Sequence, residues 1–385
     1  MSIRMTLLVD SPSKRAHGNA ASRLALGLAQ TGKVEPTLLC YSNDPRPSWL
    51  PTEVRVKRLG VDRISRAVPP IAHYLRSERP DVLITRQVHV NFCGLAASSL
   101  ARTRSHWKGK LILVQDHPIA LSHAANWRDN KWLARMSYRF ADGIISPSPA
   151  VREDTLRWCG LGPESLALVP NPITPFSGLL DTPPHPWLRD GEPSTFVHIS
   201  NLMPWKRLDL LVEAFADLCR TEDARLLIAG EGAGREQIDE QIRKLGLSDR
   251  AKTVGWVDDP LQFAGRACAF VLASDEEGFG QVLTEAMSTG CTVISTDAQG
   301  GGPRYVTGDG YYGILVPRGD KSALTEAMRR ALQPDVRARY SALGLERIAT
   351  LAPATCANML IEFIVGQLGV EASSADFSSP RLQRS

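Results

Sequence analysis

Two glutamates eight positions apart, Glu277 and Glu285, lie in the stretch 274–302, SDEEGFGQVLTEAMSTGCTVISTDAQGGG. Spacing alone would leave them as surface charge, but their setting points to a site. Gly278 and Gly280 flank Phe279, so backbone can approach a ligand closely while an aromatic ring anchors the loop. A helix starting at Gly280–Gln281 would offer unpaired N–H groups and a positive dipole end, which suits a phosphate. Carboxylates beside such a phosphate suit hydroxyl groups better than the anion itself. The chemistry implied is recognition of a molecule carrying both, as a nucleotide sugar does.

These side chains need a scaffold, and the surrounding pattern supplies one. Residues 269–273 (AFVLA) and 292–295 are short apolar runs that read as buried strands. Between them, 281–289 places Val282, Ala286 and Thr289 on one helical stripe, with Gly290 where a helix ends. Glu277 then falls in a loop and Glu285 about a turn into the helix, both facing the crevice where open α/β sheets bind ligands. The alternation continues through the chain. Strands are expected at 5–9, 37–41, 54–59, 82–85, 111–114 and 143–146, then at 196–200, 225–229, 253–257 and 314–316. Helices are expected at 19–30, 71–78, 90–100, 127–140 and 151–159, then at 208–219 and 322–332, with 338–370 largely helical. Such alternation predicts an α/β fold with parallel sheets. A chain of 385 residues exceeds one ordinary core, so two domains are expected, joined by the Pro-, Asp- and Gly-rich stretch 174–193.

EGFGQVLTEAM at 277–287, followed by GGGPRYV at 300–306 and GILVP at 313–317, resembles the donor-binding signature of the family 4 glycosyltransferases, retaining enzymes of the GT-B fold. The resemblance covers nearly the whole chain, strongest over 196–318 and thin in the first half. It implies two Rossmann-like domains facing across a cleft: an acceptor-side domain over 1–175 and a nucleotide-sugar-binding domain over 190–345. A helical segment, 346–370, would return to the first domain, and the polar 371–385 would be a disordered tail. By this resemblance Glu277 contacts the donor sugar and Glu285 the ribose, with Gly278, Phe279, Gly280, Gln281, Val282 and Leu283 along the donor between them. Lys206 matches a lysine that grips the diphosphate. The family's neighbouring arginine is Asn201 here, and Arg207 is the compensating cation on offer. Gly255, Trp256 and Val257 would bracket the base.

Two first-half residues carry both a functional and a plain reading. Gly18 stands where the family has a Gly-rich turn near the diphosphate and acceptor, but a single glycine is equally an ordinary turn. His117 follows strand 111–114, precedes Pro118, and matches a histidine beside the sugar's anomeric region; otherwise it is a partly exposed loop histidine. The glycines of 230–234 (GEGAG) lack dinucleotide spacing and read as a tight turn lining the nucleoside pocket.

The activity implied is transfer of a hexose or N-acetylhexosamine from a nucleoside-diphosphate sugar, UDP by family habit, to an acceptor hydroxyl with retention, in cell-surface polysaccharide or glycoconjugate synthesis. Alternatives are glycosylation of a soluble natural product, an epimerase on the same fold, or a catalytically silent binding module. Intact Glu277, Glu285, Lys206 and His117 argue against the last. No carboxylate is placed as a nucleophile, so a same-face displacement is expected. Asp258 and Asp259 are adjacent rather than spaced as a metal motif, so neither metal nor other cofactor is expected. A formal charge of +4 is too small to argue for nucleic acid. Seven scattered cysteines fit buried thiols in a reducing compartment, and no apolar run reaches membrane-spanning length, so a cytoplasmic location is expected. Helix 127–140 puts Leu133, Met136 and Phe140 on one face. Arg128, Lys131, Arg135 and Arg139 form a basic stripe, with Trp127 and Trp132 at its margin. Either it lies peripherally on an anionic membrane or receives a phosphorylated lipid acceptor, or it packs its apolar face on the core. The expected partners are a nucleotide-sugar donor, a saccharide or lipid-linked saccharide acceptor and, by the first reading, the inner membrane face.

Overall fold

The computed structural model describes residues 2–12, 15–61, 63–103, 107–121 and 127–370; the expected disordered tail, 371–385, lies outside them. The first sheet contains β1 (Ile3–Val9), β2 (Val34–Cys40), β3 (Arg55–Arg58), β4 (Val82–Arg86), β5 (Lys110–Val114), β6 (Gly143–Ser146) and β7 (Leu166–Leu168). They run parallel in the order β3-β2-β1-β4-β5-β6-β7. The second contains β8 (Ser194–Ile199), β9 (Ala224–Ala229), β10 (Ala251–Gly255), β11 (Ala269–Leu272), β12 (Val293–Thr296) and β13 (Ile314–Val316). These are also parallel, in the order β10-β9-β8-β11-β12-β13.

Helices cover both faces of each sheet, which is why β4, β6, β11 and β12 are buried along their whole length. Strand periodicity divides the first core. Met5 and Leu7 point toward the helices Arg15–Gln30 and Pro353–Leu368, while Leu8, Leu83 and Leu111 point toward Val68–Glu78 and Val88–Arg102. Strand order reverses between β1 and β4 in one sheet and between β8 and β11 in the other. Loops after those strands flank the two switch points, and the two doubly wound units turn them toward each other.

The chain crosses between the units twice, at adjacent places. Ile173 N–H donates to Leu351 O at 3.0 Å, and both side chains sit in the second unit's core. The helix Pro334–Thr350 belongs to that unit through Tyr340 and Ile348, whereas Cys356, Leu360 and Ile364 of Pro353–Leu368 complete the first unit's core. A Cβ on Gly27 would lie 2.0 Å from Pro353 O, so glycine there lets the returning helix close onto Arg15–Gln30.

The structure adds four elements to the sequence reading, one of them the six-residue helix Gly302–Thr307 that follows the glycines of 300–302. Strand β7 has only three residues, and the helix Pro260–Ala264 only five, too short for periodicity to declare. The helix Arg235–Lys244 (REQIDEQIRK) buries only Ile238 and Ile242, a stripe too thin to stand out. Residues 338–370 are largely helical as expected, in two helices separated by a break at Leu351–Ala352, ahead of Pro353.

Candidate functional site

The loop after β11 carries Glu277, and the loop after β8 carries Lys206, on either side of the second switch point. Their side chains form an ion pair, 15% and 13% exposed, and Ser274 Oγ donates to the same carboxylate oxygen, Oε1, at 3.0 Å. Oε2 is thus the oxygen with capacity for a ligand hydroxyl. The Glu277 backbone is clamped from the neighbouring loop: its N–H donates to Gln299 O at 2.8 Å and its carbonyl accepts from Gly302 N at 3.1 Å. Phe279 is buried against Tyr305, ring centroids 6.3 Å apart, and anchors the loop. Gly280, in the left-handed region at φ 81°, turns the chain into the helix Gln281–Ser288, whose first turn carries no acidic residue. Leu283 N–H donates back to Gly280 O at 2.9 Å, and with no carboxylate in the first turn the positive end of this helix is not offset from within that turn.

Behind this pair His198, fully buried, stacks on Phe270 with its Nδ1 2.8 Å from Val271 O and its Nε2 2.7 Å from Ser200 Oγ. A carbonyl only accepts, so Nδ1 carries the proton and the serine hydroxyl donates to Nε2. Burial pushes its pKa down to about 4, which keeps the ring neutral and ties the start of the Lys206 loop to β11. The glycine turn 230–234 supports the same loop from beneath: a Cβ on Gly230 would sit 1.8 Å from Ser200 O, and one on Gly232 2.6 Å from Leu202 O.

Glu285 lies on the helix Gln281–Ser288 beside an apolar slot lined by Val282, Pro260, Leu261 and Ile199, while Leu283 is buried in the core behind. Pro260 and Leu261 escaped the sequence reading because their helix did. The residues expected around the base are placed differently from one another. Gly255 ends β10 and accepts from Gly230 N at 2.7 Å, Trp256 is 71% exposed, and Val257 packs partly into a small core cluster. Asn201 is exposed. Arg207, left-handed at φ 49°, is engaged by Asp209 and Asp275 at 3.0 and 3.2 Å, so its charge is already answered within the protein. Gly18 is not in a loop: the helix begins at Arg15, and a Cβ on Gly18 would meet Ser11 O at 2.2 Å. Close packing of helix on loop accounts for this glycine.

The first unit presents His117 in the loop after β5, held by residues that no local motif singled out. Arg86, at the end of β4, makes a two-pronged ion pair with Asp116, its Nε 2.9 Å from Oδ2, and also donates to Asn171. Asp154 accepts from the backbone N–H groups of Ile119 and Ala120. Gln115 Nε2 donates to His117 O at 2.6 Å, and Gln115 Oε1 accepts from the buried hydroxyl of Tyr138 at 2.7 Å. Asn91 continues that chain, bonding Tyr138 at 3.1 Å and Thr85 at 2.7 Å. These contacts run between separate elements and have no sequence period.

Across the cleft the two loops meet. A Cβ on Gly278 would lie 2.2 Å from Asp116 O and 3.0 Å from His117 Cα, and Ser148 Oγ donates to Gly278 O at 2.7 Å. His117 and Glu277 are therefore brought together, one from each unit. Arg23 of the helix Arg15–Gln30 reaches Glu285 from the same side at 3.0 Å. The core-packed reading of the basic helix is corrected. Leu133, Met136 and Phe140 are 48%, 59% and 67% exposed and Trp132 66%, whereas among the described side chains of 131–140 the buried ones are Ala134 and Tyr138, one turn apart. Arg128 of the basic stripe and Trp127 at its margin are within the helix, but their side chains lie outside the described set.

Two facing Rossmann-like units with a glycine-flanked carboxylate loop at the switch point define the GT-B class. Model comparison is specific: the family described as Glycosyltransferase Family 4 matches residues 18–175 and that described as Glycosyl transferases group 1 matches 184–343. The chain belongs to the family 4 glycosyltransferases. It is 26% identical over 309 residues to the lipopolysaccharide core biosynthesis glycosyltransferase LpsE of Rhizobium meliloti, covering 77% of this chain and 78% of that one. It is 25% identical over 240 residues to an N-acetylgalactosaminyltransferase of Campylobacter jejuni named as acting on a diphospho-undecaprenol-linked saccharide, covering 62% and 64%. Among solved structures, Anabaena HepE in complex with UDP-glucose superposes with a TM-score of 0.74 at 18% identity, over 94% of this chain and 100% of that one, a likeness of fold.

Proposed function

We propose that this glycosyltransferase moves a hexose or N-acetylhexosamine from a UDP-sugar to a hydroxyl of a saccharide or lipid-linked saccharide, with retained configuration, in the assembly of a cell-surface glycoconjugate. The observation that carries the reading is the juxtaposition across one cleft of the Lys206–Glu277 pair, the helix start at Gly280–Gln281, and the braced His117. Relatives named for lipopolysaccharide core and lipid-linked saccharide synthesis support the acceptor class, and UDP complexes of similar folds support the donor.

Breaking the anomeric bond builds positive charge on the sugar and negative charge on the departing diphosphate. An ammonium has three donors, so Lys206 can hold Glu277 and still reach a phosphate oxygen, and the helix start adds preorganised N–H groups. We propose that these groups stand in for a metal. Glu277 Oε2 receives a sugar hydroxyl and Glu285 the ribose. His117 hydrogen-bonds the donor sugar near the reacting carbon and aligns the acceptor; the departing phosphate oxygen, already on that face, takes the acceptor proton. The test is nucleotide release from a panel of nucleoside-diphosphate sugars in chelator, with and without a lipid-linked acceptor, followed by NMR of the product. Acceptor-dependent UDP release with retained configuration is expected. Release of another nucleotide removes the donor assignment, and an inverted product removes the mechanism.

The exposed side chains Trp132, Leu133, Met136 and Phe140 stand beside the exposed Arg135 and Arg139, in the unit that carries His117. Apolar and aromatic groups interleaved with arginine fit the interface of an anionic bilayer, which we propose holds this face and presents the acceptor. All seven cysteines are free, which fits a reducing cytoplasm and hence the inner face of the membrane. Co-sedimentation with phosphatidylglycerol liposomes is expected to fall as salt rises, and to be lost when Trp132 and Phe140 become Ser and Arg135 and Arg139 become Gln. Absence of binding at low salt would remove the membrane from the proposal.

A further inference from the structure

We infer that Arg23 belongs to the donor site: it is the counter-charge, supplied by the first domain, that lets Glu285 stand beside a nucleoside diphosphate and links nucleotide binding to closure of the cleft. The inference rests on the proposed reading of Glu285 as the ribose ligand. Arg23 is 9% exposed, and its Nη1 lies 3.0 Å from Glu285 Oε1, across 262 positions of sequence. Their side chains are 11% and 21% exposed, so solvent screens neither charge fully.

Each glutamate of the pair thus has a cation. That of Glu277 is Lys206, from its own domain; that of Glu285 comes from the opposite one. The difference matters for an anionic ligand. A part-buried carboxylate next to a diphosphate repels it unless a positive group offsets the charge, and Arg23 provides that offset only when the domains are together. The geometry is compatible with simultaneous occupancy. Arg23 engages Oε1, which leaves Oε2 for a ribose hydroxyl, and one bond uses only one of the five N–H donors of a guanidinium. The position of Arg23 is set firmly. Gly27, one turn further on the same helix face, packs against Pro353 O where the chain re-enters the first domain, so the helix cannot slide to follow Glu285 as the cleft opens.

The experiment is titration calorimetry with UDP on the full-length wild type, Arg23→Gln, Arg23→Lys and Glu285→Gln, with small-angle scattering of each with and without UDP. Arg23→Gln is expected to raise the UDP dissociation constant on the order of tenfold and to abolish compaction on UDP binding. Arg23→Lys, which keeps the charge, is expected to recover part of both. If Arg23→Gln does not fold, Arg23→Leu, which retains the buried stem without the charge, carries the same expectation. Unchanged or tighter UDP binding by folded Arg23→Gln overturns the inference, and tighter binding would make Arg23 a competitor that the ribose must displace. Glu285→Gln separates the two levels. If it leaves UDP affinity intact, the ribose assignment itself fails; if it weakens binding while Arg23→Gln does not, only the role of Arg23 fails.

Discussion

Turnover of His117→Ala is expected to fall by about two to four powers of ten, the range for loss of a positioned catalytic group, while UDP affinity stays near that of the wild type. The asymmetry follows from where the residue sits. His117 is in the loop after β5 of the first unit, whereas Lys206, Glu277 and the helix start that would grip the nucleotide all belong to the second. Most of the brace around it does not involve its ring: Arg86 holds Asp116, Asp154 holds Ile119, and Gln115 holds the His117 carbonyl, while the ring adds a long bond, Nδ1 to Pro118 O at 3.3 Å. Truncation of the imidazole should therefore leave the loop in place, and the melting temperature should move little. Steady-state kinetics beside calorimetry with UDP decide the matter. A mutant with normal turnover would remove His117 from the site, and a parallel loss of UDP binding would move it from the reacting sugar to the nucleotide.

Gly278→Ala is expected to cost about a hundredfold in transfer, the scale associated with displacing a reacting pair by on the order of 1 Å. The added Cβ would lie 2.2 Å from Asp116 O and 3.0 Å from His117 Cα, both backbone atoms that no rotamer change can withdraw. Gly278 is not among the glycines at positive φ, so alanine fits its conformation and the second unit should fold as before. The strain is relieved by parting the two units. Scattering should then report a larger radius of gyration, the Ser148–Gly278 bond should be lost, and UDP affinity should weaken as Arg23 is drawn off Glu285. A compact, fully active alanine variant would mean that the reaction does not need this contact.

The parts of the molecule legible in the sequence are those whose evidence is local. Buried parallel strands are short unbroken apolar runs, so 143–146 and 314–316 were placed to the residue and most others to within one or two. The candidate site around Glu277 was legible because one segment holds the carboxylates, the glycines and the helix start together. What stayed hidden is joined only in three dimensions. Arg86 needs Asp116 and Asn171, Tyr138 needs Gln115 and Asn91, and Arg23 needs Glu285; each partner lies on another element. The helix Trp127–Ser137 failed for a different reason. Its large apolar residues imply an inner face by pattern alone, yet the side packed on the sheet is marked by Ala134 and Tyr138, a small residue and a hydroxyl-bearing one. Size and hydrophobicity do not distinguish a face meant for the core from one meant for another apolar phase.

The double crossing at Ile173 and Leu351 has a consequence for synthesis on the ribosome. The first unit is not a contiguous segment of chain: Cys356, Leu360 and Ile364 close its core, and they emerge after the entire second unit. Translation ordinarily lets domains fold in the order they appear. Here the core of the unit that appears first stays incomplete, with Leu24 and Leu28 of Arg15–Gln30 short of their partners, until the helix Pro353–Leu368 is released. The second unit can mature in the interval, so the half that carries Lys206 and Glu277 is finished before the half that carries His117.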